Sequence, residues 1–191
     1  MKIHPLSVLV QRHNAKRIAE IGILNGHLTR TVLRECEGVE YYLMVDPWVP
    51  YNDLSSTSRD MTAEKMEGLY RKNVEKMKDF PAAKIIREGS VVASRTVPDN
   101  SLDIVYIDAA HDTDSVVTDI HVWTSKIKDH GILSGHDCSG GWQTVINGVL
   151  IAYPEFDFAT RLDQGVWFIE LTPEKKEYIR DNTEVVFPRS Q

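Results

Sequence analysis

Lys16–Gly26, KRIAEIGILNG, read together with Val45–Trp48, VDPW, sets how the rest of the chain is organised. A short apolar strand runs into a glycine-punctuated turn and a helix, and about 20 residues after the turn a second apolar strand ends in an acid, Asp46. That is the layout of a nucleoside-cofactor site in a doubly wound α/β fold. Gly22 and Gly26 lack Cβ, so the backbone can take positive φ and a ligand can approach the turn closely. Glu20 and Asp46 fall at the carboxyl ends of neighbouring strands, where their oxygens can accept from ribose hydroxyls or face a cationic group. Any βα turn favours glycine, and Asp46 alone would serve as a cap. It is the acids taken together with the glycines that point to a site.

Outward from this stretch the pattern alternates. Leu28, Val32 and Leu33 suit one face of a helix from about Asn25 to Cys36, and YYLMVD at Tyr41–Asp46 suits a strand buried on both faces. Ser7–Asn14, ahead of the first strand, reads as a short helix or a loop. Pro47–Asp60, PWVPYNDLSSTSRD, reads as a long loop, a lid or substrate loop in which Trp48 and Tyr51 either cover a ligand or anchor the segment. A charged helix at Met61–Lys78 follows, then a third strand, AKII at Ala83–Ile86, with Gly89 and Ser90 at its carboxyl end, where a cofactor base would rest on the backbone. The fourth strand is Leu102–Asp108. Val116, Ile120, Trp123 and Ile127 recur at helical spacing and mark a crossover helix with Trp123 in the core. His130–Asp137 supplies a fifth strand, followed by a helix at Gly141–Ala152, strands near Phe156–Thr160 and Gly165–Leu171, and a polar helix. Alternating strand and helix predict an α/β fold, a mostly parallel sheet with helices on both faces. Ligands of such sheets bind beyond the carboxyl ends of the strands, and Glu20, Asp46, Ser90, Asp108 and Asp137 all fall there.

A second constellation sits in DAAH and GHD. Two aspartates ending adjacent parallel strands stand about 4.8 Å apart across the ladder, so Asp108 and Asp137 could share a hard cation. Mg²⁺ needs only one or two carboxylates, with water and substrate oxygens completing its octahedron. Zinc would recruit more Cys and His at fixed spacing, and only Cys138 is near. The alternative is that both acids are helix N-caps. His111 and His136 are imidazoles able to take a proton near neutral pH, and His111, in the more polar HDTD, is the preferred base.

The 191 residues fit one domain, 1–191, with a sizeable core. A formal charge of −6 argues against a general nucleic-acid binder, because phosphate binding needs a basic face. Two cysteines, Cys36 and Cys138, make no disulfide framework, which suggests a cytoplasmic protein, and no stretch reads as a membrane span or signal segment.

With these residues in view, the chain resembles the class I S-adenosylmethionine-dependent methyltransferases, in particular the small branch related to bacterial sugar and macrolide O-methyltransferases and, more distantly, catechol O-methyltransferase. The resemblance runs from Lys16 to Leu171, and its carriers are AEIGILNG, VDPW, REGS, DIVYIDAAH and GILSGHD. It implies a Rossmann-like seven-stranded sheet whose last strand is antiparallel. It places Glu20 and Gly22 near the methionine portion of the cofactor, Asp46 on the ribose and Ser90 beside the adenine, with Gly26, Gly89 and Asp108 in the same cofactor set. It makes Asp108 and Asp137 metal ligands, for Mg²⁺. The catechol enzymes have asparagine after the second acid and a lysine base; this chain has Cys138 there and no lysine in IDAAH, which leaves His111 and Asp108 as the catalytic pair.

The activity expected from the resemblance is methyl transfer from S-adenosylmethionine to a hydroxyl oxygen of a small molecule, with metal assistance. Two rivals stand beside it. An NAD-dependent sugar oxidoreductase would use the glycine turn and Asp46, although the spacing is not G-x-G-x-x-G. A cofactor-binding protein without catalysis would explain the missing lysine. Acceptor identity stays open among phenol, sugar hydroxyl and carboxylate, and the apolar EVVF at Glu184–Phe187 packs either on the domain or on a second chain in a homodimer.

Overall fold

The computed structural model describes residues 3–51, 61–157 and 162–185. Along them come α1 (Pro5–Arg12), β1 (Arg17–Ile21), α2 (His27–Glu35), β2 (Tyr41–Val45), α3 (Ala63–Met77), β3 (Ala83–Ile86), α4 (Ser90–Ser94), β4 (Leu102–Ile107), α5 (Thr113–Thr124), β5 (Ile127–Gly135), α6 (Gln143–Ala152), β6 (Trp167–Leu171) and α7 (Pro173–Asn182). The strands form one sheet in the order β3-β2-β1-β4-β5-β6. Every pairing is parallel except β5 with β6, which is antiparallel. Strand order reverses between β1 and β4, so the crevice beyond their carboxyl ends is where a ligand of this sheet belongs.

Successive strand residues point to opposite faces, and both faces are covered. Ala19, Ile21, Leu43, Val45, Val105 and Ile107 pack against the α4, α5 and α6 side, with Val116, Ile120 and Trp123 of α5 fully or nearly buried. Ile18, Tyr42, Met44, Ile104 and Tyr106 pack on the other face, against Leu6 and Leu9 of α1, Val32 of α2 and Met66 of α3. Burial on both faces explains why β2 and β4 read as nearly continuous apolar runs.

Several elements differ from the sequence reading. The undecided lead-in is a helix: His4 caps it, its Nδ1 accepting from the Leu6 N–H at 3.1 Å, and Pro5 occupies the first turn, where a missing N–H costs nothing. Helix α4 was not expected at all, because five residues leave too short a period to read. Ile127 does not end the crossover helix but begins β5, paired with Leu102. Its helical spacing from Trp123 is satisfied equally by a turn that returns the chain to the same core. The expected strand at Phe156–Thr160 ends in residues outside those described, and Phe156 and Asp157 are not in a strand; among the described residues the sheet has six strands. Most of the Pro47–Asp60 loop, residues 52–60, also lies outside the described residues. No helix among them is long and apolar enough to cross a membrane.

Candidate active site

The first half of the site is built at the ends of β1 and β2. Gly22 sits at φ 89°, and a Cβ there would lie 2.0 Å from the Asp108 carbonyl oxygen and 2.7 Å from Ala109 Cα. Glycine is therefore required twice, by the backbone conformation and by the close approach of the β4 loop. Asp46 is 8% exposed and organises the turn. Its Oδ2 accepts from the Ile23 and Leu24 N–H groups, each at 2.9 Å, and its Oδ1 accepts from the Trp48 N–H at 2.6 Å. A carboxylate has about four lone-pair sites, so one remains for a ligand hydroxyl. Trp48 is 1% exposed and donates from Nε1 to the Leu24 carbonyl at 3.0 Å, so it anchors the following loop rather than covering a ligand.

A cavity of 390 Å³ opens beside this turn. It is bounded by Gly22 to Leu24, Asp46, Gly89, Ser90, Asp108 and the start of α5. Tyr51 and Val185 also reach it, and Val186 and Phe187 of the EVVF stretch lie outside the described residues. Of the expected cofactor residues, Glu20 and Gly26 do not line it. Glu20 is 2% exposed, and its Oε2 accepts from Tyr42 OH at 2.6 Å and Thr29 Oγ1 at 2.7 Å. Burial pushes its carboxyl up to about 8 against the opposing effect of those two hydrogen bonds. Its role is to tie β1 to β2 and α2. Gly26 caps α2 at φ 65°, where a Cβ would meet Asn73 Oδ1 of α3 at 2.1 Å, so it serves helix packing.

The second half stands at the ends of β4 and β5, where Ile107 pairs with Gly135. Asp108, His111 and Asp137 each offer a ligand atom, all within 4.8 Å of one another. His111 Nε2 lies 2.8 Å from Asp137 Oδ2 and 4.0 Å from Asp108 Oδ1. His136 Nδ1 lies 3.2 Å from Asp137 Oδ1. The His111 ring stacks on Trp142, centroids 4.3 Å apart, which fixes its plane. Neither acid is a helix cap, the alternative reading: α5 is capped by Asp112, and α6 begins at Trp142 without a side-chain cap.

Environment separates the two carboxyls. Burial raises Asp108 to about 6, with the nearby His136 pulling the other way. Burial also acts to raise Asp137, but its hydrogen bonds to His111 and His136 and their charge outweigh that and hold it well below the ordinary carboxylate range. The bond to Asp137 raises His136, against the effect of burial. Pairs pushed apart in this way are characteristic of sites that move protons.

The sequence reading preferred His111 to His136 as the base and left a third metal ligand open, with Cys138 standing after the second acid. Cys138 is fully buried. His111 is the group that stands within reach of both acids, and the D-x-x-H spacing of DAAH was the signal that could have shown it. Two hard carboxylate oxygens and an imidazole make a donor set that fits a divalent cation with open positions for substrate. A larger cavity, 640 Å³, lies by α7 at the opposite end of the strands, among charged groups that pair with each other, as Lys176 does with Asp129 at 2.9 Å.

An open, mostly parallel sheet with a glycine turn on β1, an acid on β2 and an antiparallel final strand is the class I methyltransferase fold. The sequence profile of a family described as "Methyltransferase domain" matches residues 19–138, more than half of the chain, and the chain belongs to that family. This displaces the oxidoreductase reading. Among solved structures it is similar to cofactor-bound Rv0187 from MTB, at 16% identity over 93% of this chain and 63% of that one, with a TM-score of 0.52. It is also similar to spermidine synthase from Thermotoga maritima, at 16% identity over 87% of this chain and 56% of that one, TM-score 0.53. These likenesses show the fold alone, and the chain spans less than two thirds of the length of either. Among curated proteins no sequence matches it significantly.

Proposed function

We propose that the protein transfers a methyl group from S-adenosylmethionine to a hydroxyl oxygen of a small-molecule acceptor. The observation that carries this reading is the adjacency of the 390 Å³ cavity and the Asp108–His111–Asp137 cluster, which share Asp108. S-adenosylmethionine supplies the activated methyl on its sulfonium. What is left for the chain is alignment of acceptor and donor and removal of one proton.

Each task has residues. The free capacity of Asp46 receives a ribose hydroxyl, and the Gly22 turn lets the ligand chain lie against the backbone. His111, held in plane by Trp142 and bonded to Asp137, accepts the proton of the hydroxyl as the oxygen attacks. The negative charge of Asp137 stabilises the imidazolium that results. Asp108 stands where the cavity meets this pair and orients the acceptor. Asp108 and Asp137 would hold Mg²⁺, which would supply Lewis-acid lowering of the hydroxyl pKa and leave His111 to take the proton.

The test is calorimetric titration with S-adenosylmethionine and S-adenosylhomocysteine, with and without Mg²⁺, followed by a hydroxyl-acceptor panel scored for methylated product by mass spectrometry. Binding of both with turnover of an alcohol or phenol is expected. Binding without any turnover would favour the non-catalytic reading, and binding of neither would overturn the assignment of the cavity.

A further inference from the structure

Where α4 meets α5 the cavity is bounded by Ser90, Val91, Val92, Ala110, Thr118 and Asp119. Val91, Val92 and Ala110 present apolar surface suited to the face of a flat ring. Among the described residues three acids line the cavity: Asp46, already bonded to backbone N–H groups, Asp108 at the reaction end, and Asp119. Asp119 has no part in the chemistry above. It is 5% exposed on the apolar stripe of α5, between Val116 and Trp123, where a carboxyl is costly unless bonded.

Its local partners direct it. Trp123 Nε1 donates to Ser90 Oγ at 2.8 Å, so the single hydroxyl proton of Ser90 is free for Asp119, to which it is hydrogen-bonded. One buried chain, Trp123 to Ser90 to Asp119, thus fixes the carboxyl at the wall of an apolar slot. Burial raises Asp119 to about 7, with the Ser90 bond acting against it, so the neutral acid is well represented near neutral pH. A neutral carboxyl offers one O–H donor and one carbonyl acceptor side by side. Adenine offers the matching pair, an amino donor at position 6 and an acceptor at N1.

We propose that Asp119 selects the base of the bound nucleoside, reading the amino edge of adenine from α5. The assignment rests on the cavity being the cofactor site. A hypoxanthine or guanine base places a carbonyl oxygen where adenine has its amino group and a proton on N1, so it loses the match set by the Ser90-fixed carboxyl. Ser90 is then a positioning residue that acts through Asp119.

The experiment is calorimetric titration of wild type, Asp119→Asn and Asp119→Leu with S-adenosylhomocysteine and with its 6-oxo analogue, S-inosylhomocysteine. Wild type should prefer the adenine compound by roughly 10- to 100-fold, the range of one good bidentate base contact. Asp119→Asn, whose amide keeps an acceptor and a donor, should retain most of that preference. Asp119→Leu should bind both compounds alike, with an unchanged circular dichroism spectrum. Equal binding of the two compounds by wild type overturns the proposal without any variant, as does an undiminished preference in Asp119→Leu. Binding of neither compound by wild type overturns the cofactor reading itself.

Discussion

The two halves of the strand-end crevice use their acids in opposite ways. At β1 and β2, Glu20 and Asp46 are engaged by the protein: two hydroxyls hold Glu20, and three backbone N–H groups hold Asp46. At β4 and β5, Asp108 and Asp137 face imidazoles and each other. The first half is a preformed cradle whose shape is part of the fold. The second is a cluster of titratable groups whose mutual electrostatics store no comparable packing. Substitutions in the first half should therefore cost stability and ligand affinity together, whereas those in the second should cost turnover and leave the fold intact.

The largest expected effect breaks the cradle outright. In Gly22→Ala the new Cβ meets backbone atoms of Asp108 and Ala109 in a positive-φ conformation, so neither partner can move without shifting β4. Chemical denaturation should show a loss of about 3 kcal/mol or more. An unchanged midpoint would mean that the turn is more plastic than its contacts suggest.

Asp137→Asn should lower turnover by roughly 10²- to 10⁴-fold, the range for general-base catalysis, with little change in affinity for S-adenosylhomocysteine. Loss of cofactor binding instead would erase the distinction between the halves. Chelation sharpens the same point: if Asp108 and Asp137 hold a metal, EDTA should suppress turnover and added Mg²⁺ restore it, with cofactor binding unaffected.

Asp46→Asn is expected to be intermediate. An amide nitrogen placed against backbone N–H groups leaves a buried donor unsatisfied, at a cost of about 1–3 kcal/mol, and weakens the cofactor as well. Parallel thermal unfolding and titration would show whether the two losses move together.

The smallest effect is a slope. Glu20 has an ordinary value of 4.5 and is raised to about 8 in the fold, mainly by burial. The folded state thus binds this proton more tightly than the unfolded one, and stability is full below about 4.5 and is lost as pH rises toward about 8. Asp119, raised from 3.8 to about 7, adds a slope of the same sign. Glu20→Gln keeps a carbonyl to accept from Tyr42 and Thr29, so its melting temperature should fall less steeply between pH 5 and 8 than that of wild type. Parallel slopes would show that Glu20 stays ionised in the fold.

How much of this was legible differs by element. Hydrophobic period and glycine position gave β1 to β4 within a residue or two, because each strand carries its own local signal. Trp123 read correctly as core for the same reason. Helix α4 escaped because five residues hold too little pattern, and Ile127 was misplaced because its spacing suits both a helix and a chain reversal onto the same core. Glu20 was read as facing a ligand because strand-end position does not tell which side the carboxyl takes. Tyr42, 22 residues away, decides that.

The chain's sequence determined its class of sheet, its crevice and the acids that could reach it, since burial period and turn chemistry are local properties of consecutive residues. Which of those acids are bonded inside the protein and which line the cavity was decided only by the tertiary structure. The pairing of His111 with Asp137 spans 26 residues, and the placing of Asp119 against Ser90 depends on α4 packing on α5. Hydrogen bonds between distant strand ends and helices have no periodicity to read, and only the closed fold brings their partners within reach.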